Sequence, residues 1–138
     1  MINNLEGKKV YITGASGRLG RAVLKKYPDA IPIVRRPYGF PNEIMSDFSI
    51  SDLKEILRNA KAIIHLAGSM DFSNKKRLWE INVELTKTIV EAAPPSCKII
   101  FASSVSVFGK KLAAIPADES TECNPDSEYS KSKFMAEQ

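Results

Sequence analysis

The chain has 138 residues, 43% of them apolar and 26% charged, enough for one domain with its own core and crowded for two. No run of 18 apolar residues occurs, and Met1-Ile2-Asn3-Asn4 lacks the basic-then-apolar layout of a secretory leader, so no membrane contact is expected and the cytoplasm is the predicted location. The net charge of +4 is scattered among acids with no basic stripe interleaved with aromatics, which argues against nucleic acid; Cys97 and Cys123 match no metal spacing and read as free thiols.

In chain order, Lys8–Thr13 is a β-branched and aromatic run meeting Gly14, which reads as a buried strand entering a turn. From Arg18 to Tyr27 the apolar residues Leu19, Ala22, Val23 and Tyr27 recur at helical spacing, and Pro28-Asp29 stops the pattern. Ile31–Val34 is a second strand, with Pro32 best tolerated at its start, and Asn42–Ser46 a weak third. Ser51 is the expected N-cap of a helix running to Asn59 with Leu53, Ile56 and Leu57 inward. Ala62–Leu66 is the fourth strand. A long helix from about Lys75 to Ala92 places Leu78, Ile81, Leu85 and Ile89 on one face and ends at Pro94-Pro95; Lys98–Phe101 is the fifth strand.

Strands alternating with helices predict an α/β fold, a doubly wound parallel sheet with right-handed crossovers. Ligands of such sheets sit beyond the carboxyl ends of the strands, so the residues just after each strand carry the functional information.

Thr13-Gly14-Ala15-Ser16-Gly17-Arg18-Leu19-Gly20 puts three glycines at intervals of three between the first strand and the first helix. Gly14 permits the tight turn, Gly17 lets backbone approach a pyrophosphate, and Gly20 lets the helix pack closely on the strand, while unpaired N–H groups of the helix N-terminus face the anion. Ser16, Arg18 and Leu19 belong to the same cofactor-binding loop. After the second strand, where a carboxylate would select NAD, the chain has Arg35-Arg36, which pairs with a 2′-phosphate; Arg18 could add a second contact. NADP is therefore favoured, with NAD possible.

The three-residue glycine spacing, His65-Leu66-Ala67-Gly68, Phe101-Ala102-Ser103-Ser104-Val105-Ser106-Val107-Phe108-Gly109 and Tyr129-Ser130-Lys131-Ser132-Lys133 together resemble the extended short-chain dehydrogenase/reductase family of the NAD-dependent epimerase/dehydratase type, from Lys8 to Gln138. The resemblance implies a Rossmann-like fold and an NAD(P)-dependent epimerase, dehydratase or reductase acting on a small molecule, most often a nucleotide sugar. It also implies that residues 1–138 form a single NAD(P)-binding domain, the N-terminal portion of a longer enzyme, truncated before the substrate-binding domain; exposed apolar surface at the cut edge would favour a homodimer or other self-association. A non-catalytic, redox-sensing dinucleotide module is the alternative.

Tyr129 and Lys133, at i and i+4, share a helix face. A phenol with an ordinary pKa near 10 is a poor base at neutral pH, and an ammonium about 4 Å away favours its ionised form. The resemblance implies that Tyr129 exchanges a proton with a substrate hydroxyl or carbonyl as hydride moves, that Lys133 also bonds the nicotinamide ribose, and that Ser104 hydrogen-bonds the reacting oxygen. Ser103 is the near alternative, since neighbouring strand residues point oppositely. Asn82, on the apolar face of the long helix, is implied to bond main chain near the fourth strand and to join a proton relay; a structural amide tying helix to strand is compatible with that. Leu66, Ala67 and Gly68 are expected along the dinucleotide, and Asp47-Phe48 resembles the pair that meets the adenine. His65 reads as a packed strand-end histidine rather than a catalyst. Phe108 stands where Tyr is common in the family and Gly68 where Ala is common; no metal site is expected.

Overall fold

The structure, a computed structural model, describes residues 9–112 and 115–138. Lys8 and the Met1–Asn4 stretch lie outside the described residues.

Five strands, β1 (Lys9–Thr13), β2 (Ile31–Val34), β3 (Ile44–Met45), β4 (Ala60–His65) and β5 (Lys98–Phe101), form one parallel sheet in the order β3-β2-β1-β4-β5. The order reverses between β1 and β4, which makes the sheet doubly wound as expected and opens a crevice beyond the ends of those two strands. β1 is central, so its residues must be apolar on both faces; Tyr11, Ile12 and Thr13 are all buried. Pro32 is accommodated in β2 because β3 pairs only with Ile33 and Val34, so the residue lacking an N–H precedes that ladder. β5 is an edge strand, and its Ile100 is about half exposed (49%).

By contact the chain falls into two compact units. The first holds the described residues through Ala67 with Lys87–Phe101, and so the whole sheet; the second holds Gly68–Thr86 and the described residues from Ala102 to Gln138.

In the first unit, α1 (Arg18–Lys26) turns only part of the expected face inward. Gly20 is buried and Val23 and Leu24 pack against Ile12, Ala15 and Ala30, whereas Leu19 and Tyr27 are more than half exposed and Ala22 is exposed. The helix approaches the strand through Gly20, whose missing side chain sets the contact point, so the apolar stripe follows from 20 to 23 and 24. α2 (Ile50–Ile56) starts earlier than expected: Ser49, not Ser51, is the N-cap, its hydroxyl accepting from the Asp52 N–H at 3.3 Å. Ser49 has the extended backbone that a cap needs, and Ser51 already lies inside the helix. Leu53 and Leu57 are fully buried beneath it.

The long helix is present but not uniform. α3 (Lys75–Trp79), capped by the Asn74 side chain on the Arg77 N–H, runs into a π-helical turn at Glu80–Glu84 before α4 (Leu85–Ala92) resumes the ordinary pitch. Leu78, Leu85 and Ile89 are buried as the spacing predicts. In the second unit, α5 (Glu128–Glu137) opens with a reciprocal cap in which Ser127 and Ser130 each accept from the other's backbone N–H. A one-turn 3₁₀ segment, Val105–Phe108, begins from Ser104.

The cap assignment is testable by chemical denaturation. Ser49→Ala is expected to cost about 1 kcal/mol, and Ser51→Ala close to nothing.

Candidate functional site

The first unit supplies a backbone cradle. Gly14 has φ +72, and a Cβ on it would lie 2.6 Å from the Leu66 carbonyl carbon and the Ala67 nitrogen, so the β1 turn can meet the end of β4 only as glycine. Gly20 is as constrained, since its Cβ would lie 2.6 Å from the Ala15 Cα. The Gly17 N–H closes the turn on the Gly14 carbonyl at 3.1 Å, and Gly17 then caps α1 without a side chain to cover the first-turn N–H groups. Those donors at the positive end of a nine-residue helix suit a pyrophosphate.

Thr13 braces the cradle, a role that sequence spacing did not signal. Its hydroxyl meets His65 Nδ1 at 2.6 Å and accepts from the Ala67 N–H at 3.3 Å, while the His65 ring stacks on Phe101. His65 is thus a packed residue of the core, 1% exposed.

Beyond β2 the two arginines diverge. Arg35 lies over the Phe48 ring, 5.4 Å from its centroid. It shares with Asp47, Met45, Ser46, Ser49 and Asp52 an open hollow of about 620 Å³. Asp47 accepts from the Ser49 N–H at 2.7 Å, and that bond holds its carboxyl below the usual range. Phe48 is held at φ +61, left-handed backbone that a bulky residue rarely adopts, with its N–H bonded to Ser46 Oγ at 2.9 Å. Arg36 instead donates to the Tyr38 hydroxyl at 3.1 Å. This bond and a second from Ser16 hold the phenol below its ordinary range. Tyr38 and its neighbours also escaped the sequence reading. Glu43 accepts from the N–H groups of Tyr38, Gly39 and Phe40 and so folds the β2–β3 loop, and Arg21 links Phe40 to the Ser16 carbonyl. Arg18 and Leu19 are exposed on the first turn of α1.

In the second unit, Asn82 is 1% exposed with both polar atoms of its amide bonded. Oδ1 accepts from the Ser69 N–H at 2.7 Å, and Nδ2 donates to the Ser69 carbonyl and to Ser132 Oγ, both at 3.0 Å. Lys133, 5% exposed, donates from Nζ to the Ala102 carbonyl at 2.6 Å, and burial pushes its pKa down. Gly68 marks where these two converge: a Cβ there would lie 3.5 Å from Asn82 Oδ1 and 4.0 Å from Lys133 Nζ. Tyr129 stands one turn before Lys133 on α5, its ring edge-on to Phe72 with centroids 6.0 Å apart. Ser104 and Ser103 part company as their alternation predicts. The Ser104 hydroxyl lies 2.8 Å from that of Ser106, whereas Ser103 donates to Glu137. Glu128, beside Tyr129, accepts from Trp79 Nε1 at 3.2 Å and pairs with Lys75 at 3.1 Å.

The arrangement is that of a known family. The model of the NAD dependent epimerase/dehydratase family matches residues 10–138, and the chain belongs to that family. Among solved structures, it is similar to UDP-N-acetylglucosamine 4-epimerase from Bacillus cereus, with 25% identity and TM-score 0.82 over 94% of this chain and 48% of that one. It is also similar to a short-chain dehydrogenase/reductase superfamily protein from Agrobacterium tumefaciens with bound NAD, with 26% identity and TM-score 0.78 over 94% of this chain and 43% of that one. MoeE5 in complex with UDP-glucose and NAD gives 26% identity and TM-score 0.78 over 94% and 46%. The chain therefore spans less than half the length of these three proteins. No curated protein matches it. No helix among the described residues is long and apolar enough to cross a membrane.

Two outcomes test the local geometry. Gly14→Ala is expected to destabilise by more than about 1 kcal/mol in denaturant titration, because its turn excludes a side chain, whereas Gly68→Ala stays within about 0.5 kcal/mol. The second concerns Glu128, whose carboxyl is held below its ordinary 4.5 chiefly by its bond with Lys75, then by Trp79. A depressed folded value means that its contribution is present above 4.5 and lost as pH falls through the folded value. Fluorescence of Trp79, the single tryptophan, should change with a midpoint below 4.5, and Glu128→Gln should remove that transition.

Proposed function

We propose that this chain is the cofactor-binding and proton-transfer portion of an NAD(P)-dependent epimerase, dehydratase or reductase acting on a nucleotide sugar. The observation that supports it best is the buried ammonium of Lys133, one helical turn from a phenol and bonded to a backbone carbonyl. Burying a lysine is costly, and such groups concentrate where chemistry is done.

The residues present fit a dinucleotide. Gly14, Ser16, Gly17 and the first turn of α1, with Arg18, Leu19 and Gly20, hold the pyrophosphate; Leu66, Ala67 and Gly68 flank the chain of the cofactor beyond β4. Phe48 would pack the adenine and Asp47 would accept from its amino group. Arg35, over Phe48 and on the rim of the hollow, holds a 2′-phosphate, with Arg36 supporting it from its bond with Tyr38. The cofactor is thus NADP in preference to NAD; NAD is the dinucleotide bound in two of the similar structures named above. When bound, its nicotinamide supplies the hydride acceptor and donor.

The chain's own residues then manage the proton. Tyr129 takes it from the reacting hydroxyl, or returns it to the carbonyl, and Lys133 stands one helical turn away on the same face. Ser104 orients the reacting oxygen, its hydroxyl kept in place by Ser106, and Ser103 stands beside it. Asn82 fixes Ser69 and Ser132 around the lysine and serves as the inner end of a relay.

Fluorescence titration with NADPH and NADH tests the cofactor half. Tighter binding of NADPH is expected, and Arg35→Asp should reverse the order; no binding of either by the folded chain would overturn the reading. For the chemistry, Tyr129→Phe should abolish turnover of the nucleotide sugar while leaving NADPH affinity within about twofold.

A further inference from the structure

Lys133 needs its charge at the moment a proton moves, yet burial favours the neutral amine. The groups arranged about it show how that charge is kept. Ala102 and Ser103 are consecutive residues; the Ala102 carbonyl accepts from Lys133 Nζ, and the Ser103 hydroxyl donates to Glu137. Glu137 is in turn four residues after Lys133 on α5, so the two side chains lie one above the other. Two successive residues of the β5 exit thus grip two successive turns of one helix.

We propose that Glu137 is a positioning residue for the proton-transfer pair. Anchored by Ser103, its carboxylate faces Lys133 from the solvent side and sustains the ammonium that burial would otherwise discharge. This rests on the reading of Tyr129 and Lys133 given above. On its own helix, Glu137 stands one turn after the lysine and Tyr129 one turn before it; Asn82 and Ser132 are neutral. The carboxylate's pull opposes the burial effect in sign, which is the signature of a compensating charge. The carboxylate touches neither substrate nor cofactor in this role. Ser103 also acquires a task apart from ligand contact, as the hydroxyl that holds the acid in line.

The test follows the Lys133 ammonium itself. In the full chain labelled with ¹³C-lysine, the Lys133 Cε signal, assigned with Lys133→Arg, is titrated with pH by NMR. Glu137→Gln, an uncharged isostere at an exposed position, is expected to lower the Lys133 midpoint by about one pH unit. Glu137→Asp should restore part of the shift, and Ser103→Ala, which keeps the carboxylate but frees it, should produce a smaller fall in the same direction. A Lys133 midpoint unmoved in both Glu137→Gln and Ser103→Ala, with the amide spectrum of the fold intact, overturns the proposal. The catalytic reading stands or falls separately on Tyr129→Phe, since that variant leaves the Glu137–Lys133 pair in place.

Discussion

The β1 turn meets the end of β4 backbone to backbone, with Gly14 lying where any side chain would strike Leu66 and Ala67. Much of the first unit follows from that approach. It sets the register in which Thr13 pairs with His65, it lets the Thr13 hydroxyl reach both the imidazole and the Ala67 N–H, and it starts α1 close enough that Gly20 must also be bare. The strand order reverses at the same pair of strands, so this close approach borders the crevice in which a doubly wound fold takes its ligand.

The second unit is organised by buried polar groups instead of by close backbone contact. Asn82, Ser130, Ser132 and Lys133 are nearly or fully inaccessible, and each answers a named donor or acceptor. Groups of this kind are unhelpful to stability unless all are satisfied, and when all are satisfied they hold one arrangement rigidly. That suits the proton transfer proposed for Tyr129 and Lys133, where distances must be set before a substrate arrives.

Much of this was legible in the chain because periodicity and glycine spacing report backbone needs directly. The strands, the glycine loop and the i, i+4 relation of Tyr129 and Lys133 fall where the residues indicate. Other features depend on partners distant in sequence, which local patterns do not carry. The inward face of α1 is legible in part: the close approach at Gly20 and the packing of Val23 hold, whereas Leu19 and Tyr27, counted for their hydrophobicity alone, face outward. Ser51 is the expected cap and Ser49 the actual one, since only backbone conformation separates two serines two apart. Arg35 and Arg36 looked equivalent until Tyr38 claimed one of them. Ser103 gave no hint of Glu137, 34 residues away.

The widened turn at Glu80–Glu84 adds one more consequence. It fits an extra residue into a helix without changing where the helix begins, and it surrounds Asn82. Removing one residue there would let the coil relax to its usual winding while the segments on either side keep their faces, because the wide turn already absorbs that residue. Length changes are ordinarily forgiven in loops and resisted at strand pairings. Here the middle of a helix takes up a length change of the kind that loops usually carry.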